Sequence, residues 1–274
     1  MTYKEKDFIK DNLPKNRRQQ FSYLLKNEWR TLLSLLGLYL IALLPFVVSI
    51  FLRVFVDFSS ETIKAVVTFS VTIASHLIMG LLLSGSLRIY RLMVFNEGFL
   101  FFSDFLYGIK QNFKHVMINT IIFILLELSL LLVSFTNMGD TTYIIYFILM
   151  GVYDLVFYPV FLYINAETPV YENKYLVSLI NAVKMAIKNF PFTLLFVLYI
   201  LAIHLLGAIG GIPLFVYMIC LLALFIFLPI YTLIYFLFAI SRFDKYINNR
   251  LAKQLYRKGL SEEENNTDNK VNNL

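Results

Sequence analysis

The chain is poor in charge, cysteine, tryptophan and histidine. Of its 274 residues only 15% are charged, with a single cysteine, a single tryptophan and three histidines. One cysteine, Cys220, excludes an internal disulfide and any CxxC-type metal or redox site. His76, His115 and His204 stand far apart and form no HExxH or HxxxH pair, so no metal ion is expected. No Walker-type phosphate loop and no GxSxG nucleophile elbow occurs, which leaves nucleotide-driven transport and lipase-like hydrolysis without their usual signs. No cofactor is indicated, and an intramembrane enzyme is the least expected class. The first thirty residues are polar and charged, without a short apolar core and cleavage site. No cleavable signal peptide is therefore expected, and the first span itself should direct insertion.

What the chain has in abundance is apolar length: 59% of residues are hydrophobic and 17% aromatic, with a mean hydropathy of +0.70. A span needs about 20 mostly apolar residues to cross the hydrocarbon of a bilayer. Six stretches qualify: Thr31 to Arg53, Thr62 to Leu87, Val116 to Phe135, Tyr143 to Tyr163, Pro191 to Leu206 and Leu214 to Ile240. The expected fold is an all-α polytopic membrane protein with six transmembrane helices arranged as three hairpins.

Charge placement sets the expected topology. Lys and Arg number 8 in residues 1 to 30, 4 in 88 to 114, 3 in 165 to 190 and 7 from 242 onward, while Arg53 and Lys64 fall on the other side. The positive-inside rule then puts both termini and the two long loops in the cytoplasm of a cell-membrane protein. Because the rule already explains these basic residues, nucleic acid is not expected as a partner.

A repeat runs through the chain. Phe102, Phe105, Leu106, Ile109 and Phe113 form one apolar helix face, with Lys110 and Lys114 at its edge. Adding 74 to each number gives Leu176, Leu179, Ile180, Val183 and Ile187, with Lys184 and Lys188 in the lysine positions. A fainter copy holds Phe21, Leu25 and Trp29 with Lys26 and Arg30. Each copy precedes a hairpin, so the spacing predicts an interfacial amphipathic helix before each of three units, about 21–87, 102–164 and 175–240. Around this 21–240 membrane domain stand a charged segment 1–20, expected to fray or lie on the membrane surface, a basic amphipathic extension 241–260, and a tail 261–274 of disordered composition.

Inside the spans, the residues that cost most are Glu127 and Asp154, since an acid near the centre of a membrane helix costs about 2.5 to 3.5 kcal/mol on insertion scales. The second span adds His76 to a polar line of Ser70, Thr72, Ser75, Ser84 and Ser86, with Gly80 and Gly85 permitting close helix approach. The candidate buried site is therefore His76, Glu127 and Asp154 meeting near the midplane as a proton or cation site, with His76 able to titrate near neutrality. The alternative is protonated acids bonding neighbouring hydroxyl and amide groups. His204 is placed at the outer end of the fifth span without a role. Arg88, Arg91, Lys110, Lys114, Lys184 and Lys188 are candidates for anionic lipid headgroups or a docking partner, although arginines at a span end ordinarily serve as topology anchors.

The stretches GSLRIYRLMVFNEGFLFFSDFLYGIKQNFK and VFYPVFLYINAETPVYENKYLVSLINAVKMAIKNFPFTLL resemble the YesL-like family of bacterial integral membrane proteins, a domain of unknown function. The marks are a Gly-containing exit from the second span, the aromatic-Gly-Ile-Lys-x-Asn-aromatic helix, and the Asn-Ala helix ending in Asn-aromatic-Pro. The resemblance implies a compact multi-span protein that assists a transporter or cell-envelope system, alone, as a homo-oligomer or beside transporter subunits. It supplies no catalytic residues. The competing expectation is a proton- or cation-coupled secondary transporter using the buried acids, since internal repeats and broken helices are common in transporters.

Overall fold

The computed structural model describes residues 13–56, 60–135, 140–208 and 214–261. The Thr136–Thr142 loop in part, the glycine-rich turn before Leu214 and nearly all of the C-terminal tail with its Asn265-Asn266-Thr267 sequence lie outside the described residues.

Among the described residues every regular element is a helix. In order these are α1 (Arg17–Asn27), α2 (Trp29–Phe55), α3 (Glu61–Val94), α4 (Phe101–Phe135), α5 (Asp140–Val152), α6 (Tyr158–Glu167), α7 (Tyr175–Lys188), α8 (Phe190–Ala208), α9 (Leu214–Phe243) and the short α10 (Asn249–Leu251). Four spans, Thr62–Val94, Phe101–Leu130, Thr141–Glu167 and Met218–Leu251, are long and apolar enough to cross a membrane; two bent pairs bring the total to six if each pair counts as one span.

The repeat is expressed unequally. Between α1 and α2 the chain bends by 80°, and between α7 and α8 by 102°. At the second bend Asn189 caps α7 through its own side chain, which donates to the Met185 carbonyl at 2.9 Å, and Pro191 opens α8, where its missing N–H is no loss. The middle copy differs from expectation. Phe102 to Lys114 is no separate interfacial helix but the first third of α4, a continuous helix of 35 residues. Nothing breaks it: no Pro, and a Gly108 that α3 contacts directly. At about 1.5 Å per residue such a helix is roughly 20 Å longer than a bilayer's hydrocarbon core. Likewise α3 does not stop at Leu87 but carries Arg88 and Arg91 in its last turns.

Close approach of α3 and α4 rests on three glycines. A Cβ at Gly80 would lie 2.4 Å from Thr120 Oγ1, one at Gly85 2.6 Å from Phe105 Cε2, and one at Gly108 2.7 Å from Arg88 Cβ and 2.9 Å from the Gly85 carbonyl. Small residues at such crossings let backbones meet where burial from water supplies no force. Leu87, Ile89, Tyr90, Val94, Phe236, Ala239, Ile240 and Phe243 then form a fully buried core between α3 and α9.

The chain ends also depart from expectation. Residues 13–20 do not fray; they pack on the segment after α9. The Ser261 N–H donates to the Pro14 carbonyl at 3.0 Å, and the Gln20 side chain donates to the carbonyls of Val94 at 2.6 Å and Gly259 at 3.0 Å. The basic segment 241–260 begins as the end of α9. After Phe243 it winds through a π-turn, α10 and a 3-10 turn, folding back on the bundle.

Candidate functional site

The Thr141–Glu167 span is interrupted. Between α5 and α6, Tyr153–Phe157 form a π-turn in which the Tyr158 N–H donates to the Tyr153 carbonyl. Pro159 supplies the reason: it cannot donate to the Leu155 carbonyl and its ring crowds that group, so the preceding turn widens. The widened turn carries Tyr153 and Asp154 into the interior, where both are essentially without exposure.

Asp154 there meets His204 of α8. Nδ1 of His204 is 2.9 Å from Oδ1 and 3.1 Å from Oδ2 of Asp154, and its Nε2 is 2.8 Å from Oε1 of Glu127 on α4. The structure thus brings Glu127 and Asp154 together, with His204 as the group between them. Both ring nitrogens face carboxylate oxygens, so each contact needs a proton: either an imidazolium holds two carboxylates, or a neutral ring holds one carboxylate and one carboxylic acid. The two ends are not equivalent. The Asp154 side chain is 0% exposed and that of Glu127 20%.

His76 sits elsewhere. Its Nδ1 donates to the Thr72 carbonyl at 2.8 Å, which leaves Nε2 as the basic nitrogen. Its ring lies 5.0 Å from that of Phe123, Phe123 lies 5.0 Å from Tyr153, and Tyr153 lies 5.2 Å from His204. Two aromatic rings therefore separate the two histidines. The Tyr153 hydroxyl is buried and has no hydrogen-bond partner among the described residues.

On the His76 side of these rings is a cavity of about 170 Å³ between α3, α4, α6 and α9, whose polar lining includes His76, Asn119, Thr120, Asn165 and Tyr231. At its far end Tyr175 donates to Asn119 at 2.8 Å, and Asn119 donates to Asn165 at 2.8 Å. Drug-sized ligands occupy pockets of roughly 300 to 1,000 Å³. This one suits water or an ion-sized species rather than a sugar.

The remaining candidates are placed apart. Arg88 is engaged within the protein, donating to Asp104 at 3.2 Å and Gln111 at 2.8 Å and lying 4.3 Å over the Tyr107 ring. Arg91 pairs with Glu97 at 3.4 Å. Lys110, Lys114, Lys184 and Lys188 are exposed. Among the described residues no group of three His, Cys, Asp or Glu is arranged to hold a metal ion. Sequence reasoning missed His204. The signal was available, since an ionisable ring inside an apolar span invites the same question as the two acids.

Comparison with family models, with curated proteins and with solved structures gives no match.

Proposed function

We propose that this is a proton-carrying protein of the cell membrane, crossing it six times as three hairpins with both termini in the cytoplasm, and that Glu127, His204 and Asp154 are its proton-binding site. The concentration of Lys and Arg in residues 1–30, 88–114, 165–190 and from 242 onward supports this orientation. The observation that carries the function is His204 held between two acids inside the spans. Ionisable groups at that depth are costly, and a chain of acid, imidazole and acid is a route along which a proton can be taken up at one end and delivered at the other. Glu127, the partly exposed end, is the entry. Asp154, fully enclosed on its π-turn, is the inner acceptor. His76 and the polar cavity form the approach from the Asn119 side, and Phe123 with Tyr153 forms the barrier between approach and site. The size of the cavity favours protons and water over an organic cargo.

The test is reconstitution of the full chain in liposomes holding a pH-sensitive dye, with an imposed potassium diffusion potential. Wild-type protein is expected to acidify the lumen well above protein-free vesicles, and Glu127→Gln or His204→Gln to return flux to background. Unchanged flux in a Glu127→Gln protein that purifies as a single species would refute the reading. Absence of any wild-type flux would turn attention to the accessory role implied by the YesL-like resemblance.

A further inference from the structure

A second feature lies at the opposite end of α8 from His204, at the elbow where α7 turns through 102° into α8. Arg242, in the last turn of α9, packs there. Its guanidinium carbon is 5.0 Å from the ring centre of Phe192 on α8 and 4.8 Å from that of Phe238 on α9. The two rings are 6.4 Å apart and tilted by 42° to each other, and Arg242 occupies the angle between them. Both distances are within cation–π reach, so two rings rather than one hold the planar group.

No anion answers it. The Nε of Arg242 is buried without a hydrogen-bond partner, and among the described residues no hydrogen bond or ion pair engages its terminal nitrogens. Asp244, the acid nearest in sequence, is taken by Arg17 at 2.8 Å and by the Asn248 side chain at 2.8 Å. Lys188, the last residue of α7, and Lys245 both lie over the ring of Tyr246, at 5.0 and 5.3 Å, and among the described residues neither forms an ion pair. A positive charge at the C-terminal end of α9 is favoured by the helix dipole and by topology. A lysine would satisfy both. Neither accounts for a planar group set between two rings with a buried, unmatched N–H.

The surroundings indicate what kind of molecule brings the anion. Ile187, Phe190, Phe192 and Leu195 are exposed around the same elbow, and Leu176 and Ile180 continue an exposed apolar face along α7. Helices with such a face lie in a bilayer's interface. We infer that the elbow binds the phosphate of an anionic phospholipid, with Arg242 as its principal ligand, Lys188 and Lys245 as supporting charges, and the exposed apolar residues beside the acyl chains. With α7 in the interface, its bend into α8 sets Arg242 at headgroup depth. A guanidinium offers paired N–H donors to phosphate oxygens, which an ammonium does not. A soluble phosphorylated compound would meet the same cations but leave the apolar rim in water.

The test is native mass spectrometry of the full chain in detergent, titrated separately with phosphatidylglycerol, phosphatidylcholine and glycerol phosphate. Phosphatidylglycerol is expected to be retained more tightly than phosphatidylcholine, and glycerol phosphate not to be retained. Arg242→Gln should weaken retention of phosphatidylglycerol by about tenfold, the scale of one lost hydrogen bond to a charged group. Arg242→Lys keeps the charge that orients α9, and with it the fold, and should still lose most of the preference. Lys253→Gln removes one charge from an exposed residue beyond α9 and should change nothing. Equal retention of the two lipids, wild-type retention by Arg242→Gln or Arg242→Lys, or an equal loss in Lys253→Gln would overturn the proposal. Retention of glycerol phosphate without phosphatidylglycerol would overturn it too, giving the elbow to a soluble ligand.

Discussion

Nε2 of His204 lies 2.8 Å from Glu127 while the opposite nitrogen of the same ring faces both oxygens of Asp154. The ring is therefore committed on both edges, and the three side chains form one hydrogen-bonded unit rather than three separate groups. Removing one acid from such a unit leaves a buried partner uncompensated, and the penalty should follow enclosure.

Asp154→Asn is expected to destabilise the protein by about 3 to 5 kcal/mol, the range for breaking a buried pair. Glu127→Gln should cost less, because its side chain is 20% exposed against 0% for Asp154. Unfolding in mixed micelles with increasing denaturing detergent measures both. Equal losses would remove the distinction between an open and a closed end of the unit.

Replacing all three members together separates a structural role from a working one. The triple variant Glu127→Leu/His204→Leu/Asp154→Leu has no charge left to strand, and apolar replacement of a buried ionic cluster is often neutral or stabilising by about 1 to 4 kcal/mol. Its stability should recover relative to Asp154→Asn while its proton flux stays at background. Flux comparable to wild type would show that protons travel by another path.

Glycines in this protein should fall into two groups on substitution by alanine. Gly108→Ala pushes a methyl toward Arg88 Cβ and the Gly85 backbone, and overpacking of this kind costs about 1 to 3 kcal/mol. Gly37→Ala meets nothing within 4 Å and should be neutral or stabilising by about 0.5 to 1 kcal/mol through helix propensity. Thermal denaturation of the two proteins side by side checks the contrast.

The joined chain ends offer a fourth test. Arg17→Ala strands Asp244, whose side chain is 10% exposed, at a cost of about 3 kcal/mol. Gly259→Ala forces a clash at a positive φ. Both should raise amide hydrogen exchange in 244–261 and in 13–20 together while α3 and α4 keep their protection. Exchange confined to one of the two segments would mean that they are not a single cooperative unit.

Hydropathy made an all-helical chain with several helices long and apolar enough to cross a membrane readable, because apolar length is a local property. The bends were half readable. Two copies of the surface-helix pattern look alike in sequence and the third is fainter, but the chain bends only at Trp29 and Phe190, since in the middle copy Gly108 and Phe105 pack the segment against α3. At the site, the cost of charge in a span pointed to Glu127 and Asp154, and the structure does bring these two together. The ring that joins them was not readable as a partner, because it arrives from α8 and depends on a π-turn set by Pro159. His76 was grouped with the acids for its titration range, and two aromatic rings keep it apart from them.

Arg17 opens the first described helix, α1, and Asp244 follows directly on the end of α9. Their ion pair can therefore form only once the chain has been made nearly to its end, so the cap joins the first and last described segments in one late step. Until that moment the carbonyl of Val94 lacks the Gly259 loop that packs against it.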